Sequence, residues 1–117
     1  MFDGCKYSDF LSYSRNAEYV AVNQDEAAHI PPGVKRDEAG ALGAVGITAL
    51  AGLEGKLRIK RGERLMIIGA SGGIGHIAVQ LAKRLGATVF AIASGKDGVR
   101  LARRLGADRR SMGARTT

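Results

Sequence analysis

Arg64-Leu-Met-Ile-Ile-Gly-Ala-Ser-Gly-Gly-Ile-Gly-His-Ile-Ala-Val-Gln-Leu-Ala-Lys-Arg-Leu-Gly86 decides how this chain is read. Four consecutive apolar residues lead into a glycine cluster, and an amphipathic stretch follows. The pattern predicts a buried strand, a tight turn and a helix. Ile74, Ile77, Ala78, Leu81 and Leu85 share one helical face. Lys83 and Arg84 lie near the helix end, where cations suit the dipole, and Gly86 is a natural stop. Thr88-Val-Phe-Ala-Ile-Ala93 comes next, rich in β formers, as the second strand of a βαβ unit would.

The turn itself carries chemistry. A helix start presents unpaired N–H groups and partial positive charge, a setting for phosphate. At Gly72 and Gly73 no Cβ stands between the backbone and a ligand. Gly75 allows helix and strand to approach closely, and Ser71 offers a hydroxyl to a phosphate oxygen. Read strictly, the dinucleotide fingerprint is Ala70-x-Gly72-x-x-Gly75, with alanine in the first glycine position. The alternative is a tight strand-to-helix turn that binds nothing; the two flanking strands favour the binding turn.

The end of the second strand discriminates between dinucleotides. A carboxylate there would take a ribose 2′-OH. Here the strand runs through Ala93 into Ser94-Gly-Lys96, and the first carboxylate is Asp97. Ser94 can bond a 2′-phosphate and Lys96 can neutralise it, which favours NADPH over NADH. Ser94 could equally cap the next helix with Lys96 in solvent.

Upstream, Ala17-Glu-Tyr-Val-Ala-Val22 alternates and predicts a strand, and Ile30-Pro-Pro-Gly-Val34 a turn. A helix is expected from Asp37 or Glu38 to about Leu53, with Leu42, Val45, Ala49 and Leu53 on one face. Gly43 and Gly46 weaken it. Residues 57–63 form a basic connector. Downstream, a helix from Asp97 to Leu105 turns Val99, Ala102 and Leu105 inward and ends at Gly106. After Asp108 alternation is lost, so residues 109–117 are expected to be an irregular basic tail with no third strand.

The chain has 117 residues, 45% hydrophobic and 25% charged, enough for one domain at most or part of a larger one. Its single cysteine, Cys5, excludes an internal disulfide and a multi-cysteine zinc site. His29 and His76 stand far apart in sequence, so no metal ligand set can be read. No segment reads as a leader or membrane span, and a reducing, cytoplasmic setting is expected. The net charge is +7, and from Ser94 onward seven basic residues face two acidic ones. That end reads as a solvated helix face followed by a loose tail. Nucleic-acid binding is the weaker reading, because no aromatic residue lies there to stack on a base.

From about Ala17 to Asp108 the chain resembles the medium-chain dehydrogenase/reductase superfamily, closest to its zinc-independent quinone oxidoreductase branch. The resemblance rests on an ordered series. It comprises Ala17-Glu-Tyr-Val20, Ile30-Pro-Pro-Gly33, Gly46-Ile-Thr-Ala49, Gly69-Ala-Ser-Gly-Gly-Ile-Gly75, Ala78-Val-Gln-Leu-Ala-Lys83 and Leu105-Gly-Ala-Asp108. Gly69-x-x-x-Gly73-x-Gly75 also fits the short-chain dehydrogenases, but their Tyr-x-x-x-Lys does not follow here.

The resemblance implies an α/β fold: part of a Rossmann-type NAD(P)-binding domain over 37–108. Before it, residues 1–36 would be the remnant of a β-rich, GroES-like substrate domain. It implies hydride transfer from NADPH to a quinone, enone or other small carbonyl compound, with no metal. Thr48 would lie near the nicotinamide, Ser71, Gly72, Gly73, Ile74 and Gly75 around the pyrophosphate, and Ser94 at the 2′-phosphate. Gly98 occupies a place where relatives often carry a basic residue, so Lys96 is the neighbouring substitute. The matched pieces cover only part of the family pattern, and a fragment of such an enzyme is expected, from truncation, a fragmentary gene or a shifted reading frame. The catalytic residues are not readable. Uncovered sheet edges suggest self-association, or a non-catalytic role binding a nucleotide or partner.

Overall fold

The computed structural model describes Glu18 and residues 23–113. The chain divides into two units, Met1–Pro31 and Pro32–Thr117. In the first, Gln24–Glu26 forms a 3-10 turn whose start is capped by the Asn23 side chain. The strand expected over Ala17 to Val22 lies outside the described residues, Glu18 apart.

The second unit opens with helix α1, Arg36–Leu50, which continues as a π-helical segment, Ala51–Lys56. Gly43 and Gly46 do not interrupt it. Then come β1 (Arg64–Ile68), α2 (Gly73–Arg84), β2 (Thr88–Ala93), α3 (Gly95–Arg104) and β3 (Arg109–Met112). The three strands form one parallel sheet in the order β1-β2-β3, with Arg64 level with Thr88 and Phe90 level with Arg109. Helices α2 and α3 are the crossovers between neighbouring parallel strands. The architecture is α/β, part of a Rossmann-type domain, as expected. Among the described residues no helix is long and apolar enough to cross a membrane.

Both crossover helices end on the same three residues, Leu-Gly-Ala, by the same device. Gly86 and Gly106 take left-handed φ values of 84° and 94°. Gly86 N bonds Lys83 O, and Ala87 N bonds Ala82 O at 3.0 Å. Gly106 N and Ala107 N repeat this with Arg103 O and Ala102 O at 3.1 Å. This is the Schellman closure, and it aims the chain straight into the next strand. Ala87 and Ala107 are buried by it.

The core is built of small residues: Ala78, Val79 and Ala82 of α2, Val89, Ala91 and Ala93 of β2, and Ala102 of α3. The buried stripe of α2 is therefore offset from the expected face. Ile77, Leu81 and Leu85 are only partly buried against the core, and Ile74 stays 46% exposed. The reason is that α2 packs on the sheet and on α1 together, so its buried arc spans more than one stripe.

The third strand corrects the expected irregular tail at residues 109–112. All four of its residues are exposed, so it buries nothing and leaves no alternation. Backbone bonds place it: Asp108 N to Val89 O at 3.0 Å, and Gly113 N to Ala93 O at 3.1 Å. Arginines at such an edge discourage further strand pairing.

Asp108 anchors the entry to β3. Its carboxylate accepts from Lys83 Nζ at 2.8 and 2.9 Å and from Val89 N at 2.7 Å. Lys83 also donates to Ala87 O. The lysine hydrogen bonds first, then the Val89 N–H, hold the carboxyl below its ordinary value against the opposing push of burial. A carboxyl lowered in the folded state stabilises above its unfolded pKa of about 3.9, and that stability is lost as pH falls through the lowered value. Asp108→Asn should therefore cost on the order of 1 kcal/mol at pH 7, a figure discounted for the partial exposure of both partners. Urea denaturation should show the gap to wild type closing as pH falls below about 4. A gap unchanged by acid would mean that the charge contributes nothing.

Candidate functional site

The glycine turn sits at the carboxyl end of β1. Gly69 makes the bend with φ 75°, and Ala70, fully buried, resumes pairing by donating its N–H to Ile92 O at 2.9 Å. Gly69 thus makes the turn, which explains how alanine is accepted at the fingerprint's first position. A Cβ on Gly75 would lie inside contact distance of Gly69 O and 2.8 Å from Ala70 Cα. Helix and strand meet there without room for a side chain.

Gly72 is the N-cap of α2, and no side chain caps that helix. Its carbonyl accepts from His76 N at 3.0 Å and is bonded by His76 Nδ1 at 2.9 Å, so Nδ1 carries the proton. A planar trans peptide then turns the Gly73 N–H the opposite way, out of the helix start. The N–H groups of Gly73, Ile74 and Gly75 belong to the first turn, where helix geometry supplies no partner. Sequence reasoning missed His76. Its spacing of four from Gly72 was the available signal.

Helix α1 flanks the turn. A Cβ on Gly73 would stand 3.5 Å from Val45 Cγ1. Thr48 lies on the same helix, exposed, with its hydroxyl donating to Ala44 O at 2.8 Å. The oxygen's lone pairs remain able to accept.

Ser71 and the start of α3 come together. A Cβ on Gly98 would meet Ser71 Oγ at 2.8 Å, Ser71 Cβ at 2.9 Å and Ala93 Cβ at 3.3 Å. The structure thereby explains the glycine at 98. Gly98 is buried against Ser71, and a basic side chain would need the turn to move. Ser94 holds the N-cap position of α3 with extended backbone angles, yet its side chain makes no cap bond. Lys96 is exposed in the first turn of α3. Ser71, Gly72, Gly73, Ile74 and Gly75 thus form one turn, and Ser94 and Lys96 stand at the end of the neighbouring strand. No group of three or more His, Cys, Asp or Glu side chains suited to a metal ion occurs among the described residues.

This geometry fits a dinucleotide. The N-cap residue Gly72 provides no side-chain cap, and the carboxyl ends of β1 and β2 lie side by side. Residues 73–111 match the family model described as zinc-binding dehydrogenase. The mitochondrial NAD(P)H oxidoreductase RTN4IP1 of Mus musculus is 41% identical over 96 residues, covering 79% of this chain and 24% of that protein. The CurK enoyl reductase structure has a TM-score of 0.67 at 35% identity, covering 76% of this chain and 26% of that one. The quinone oxidoreductase of Thermus thermophilus, also solved in complex with NADPH, has a TM-score of 0.65 at 30% identity. That match covers 71% of this chain and 28% of the other. The chain spans about a quarter of the length of each of these three relatives.

Proposed function

Because the chain belongs to the medium-chain dehydrogenase/reductase superfamily, we propose that its glycine turn holds the pyrophosphate of NADPH. The activity served is reduction of a quinone, enone or similar small carbonyl compound. The observation that carries this is the uncapped start of α2 beside two glycines, with Ser94 and Lys96 at the end of the next strand. The nicotinamide, when bound, supplies the hydride from its C4. The protein's own contribution is binding and orientation. The N–H groups of Gly73, Ile74 and Gly75 receive the pyrophosphate, with Ser71 beside them. Ser94 offers its uncommitted hydroxyl and Lys96 its charge to the 2′-phosphate. Thr48 accepts a hydrogen bond at the nicotinamide end.

Calorimetric titration with NADPH and NADH tests the cofactor. NADPH is expected to bind at least tenfold tighter, and Ser94→Ala with Lys96→Ala should remove most of that difference, about 1.4 kcal/mol. Equal loss for both cofactors would overturn the 2′-phosphate assignment. Binding without catalysis is the second reading, favoured by the exposed apolar residues of β1, which leave the sheet open to association. NADPH oxidation with a model quinone decides between the two.

A further inference from the structure

Ser71 is the residue at which the glycine turn meets the end of β2. Ala70 N donates to Ile92 O at 2.9 Å, so the chain leaves β1 alongside Ala93 and Ser94. Ser71 then lays its side chain against the start of α3. A Cβ on Gly98 would stand 2.8 Å from Ser71 Oγ and 2.9 Å from Ser71 Cβ. Gly98 is buried, whereas Ser71 is only half-buried, so one side of Ser71 stays open to a ligand.

The charges at this junction suit a phosphate group better than a bare ribose. Lys96 stands exposed in the first turn of α3, and a serine hydroxyl can donate to a phosphate oxygen. Asp97, the first carboxylate after β2, is ion-paired with Arg100 of the same helix. Its charge is therefore partnered at the place where a free carboxylate would hold a ribose 2′-OH. The pyrophosphate has donors of its own: the N–H groups of Gly73, Ile74 and Gly75 open a different helix, α2.

We infer that the Ser71 hydroxyl serves the 2′-phosphate of the cofactor rather than its pyrophosphate, and that Gly98 keeps it there by leaving it space. The inference rests on the reading of the turn as an NADPH site. The backbone of Ser71 lies beside the pyrophosphate, while its hydroxyl donates to a 2′-phosphate oxygen together with Ser94 and Lys96. Selectivity is then set by side chains from two turns. Residue 98 controls it without touching the cofactor.

Calorimetric titration of the full chain with NADPH and NADH tests this, and circular dichroism checks that each variant is folded. Ser71→Ala should weaken NADPH about fivefold and NADH less than about twofold. Phosphorus NMR of bound NADPH should show the 2′-phosphate signal moving in that variant, with the pyrophosphate signals in place. Gly98→Ala should lower the preference for NADPH by a similar factor, because its Cβ displaces the serine oxygen. In a Ser71→Gly background, which removes both contacting atoms, Gly98→Ala should cost no further selectivity. Equal losses for the two cofactors in Ser71→Ala would return the hydroxyl to the pyrophosphate, and unchanged binding would leave it no contact; either result overturns the inference. So would a Gly98→Ala effect that persists in the Ser71→Gly background. A wild-type protein that binds NADH as tightly as NADPH, or binds neither, would overturn the cofactor reading itself and this inference with it.

Discussion

Gly75→Val is expected to leave little folded protein. The added Cβ would stand 2.8 Å from Ala70 Cα and closer still to Gly69 O, and both obstacles are backbone. Neither can move cheaply. Gly69 O already accepts from Gly72 N at 2.9 Å, and Ala70 is fully buried and tied to Ile92 O. Relief therefore requires α2 to slide away from β1, opening the core around Ala78 and Val79. Overpacking usually costs about 1–3 kcal/mol, and a backbone obstacle puts this case at or beyond the upper end. For a domain of this size that lowers Tm by more than about 10 °C. Gly43→Ala is the control: no atom lies within 4 Å of its added Cβ. Alanine in a helix interior should gain up to about 1 kcal/mol. Thermal unfolding followed by circular dichroism measures both. A Gly75→Val protein that melts with wild type would refute the close-packing role assigned to this glycine.

The legible parts of the fold are those whose signal is local. β2 runs over Thr88–Ala93 as expected, because its composition and its bounding glycine and serine lie within the segment. The glycines at 86 and 106 announce both helix ends for the same reason. β3 is invisible in sequence because its stability lies in β2: four exposed residues carry no pattern, and only the neighbouring strand gives them a partner. The Lys83–Asp108 pair spans 25 positions, and the helix dipole alone gives Lys83 no such partner. At the site, the turn from Ser71 to Gly75 is legible as a motif. Two features lie outside the motif: the His76 bond that fixes the Gly72 carbonyl, and the contact of Ser71 with Gly98. Both are decided by how neighbours pack. Sequence can flag glycine at 98 as unusual, but only the burial of that position against Ser71 shows why a longer side chain has no space.

Gly72→Val should have the opposite character: a protein that folds and does not bind NADPH. Gly72 has φ −79° and ψ 174°, an extended conformation open to any residue, so backbone geometry does not demand glycine. Packing demands it only weakly, since an added Cβ would meet Gly69 O at 3.3 Å. The fold cost should stay near about 1 kcal/mol, including the loss of a tolerated N-cap residue. Gly72 is exposed at the start of α2, where the first-turn N–H groups have no helical partner. If a pyrophosphate rests there, the branched valine side chain occupies its place and screens those donors. NADPH affinity should fall at least about 100-fold, roughly 2.7 kcal/mol, while Gly72→Ala loses less. Calorimetry well below the melting temperature separates this from unfolding. A valine variant that keeps wild-type affinity would remove the pyrophosphate from Gly72, while leaving the structural role of Gly75 intact. The two glycines stand three residues apart in one turn, yet one is required by the protein's own atoms and the other by those of its ligand.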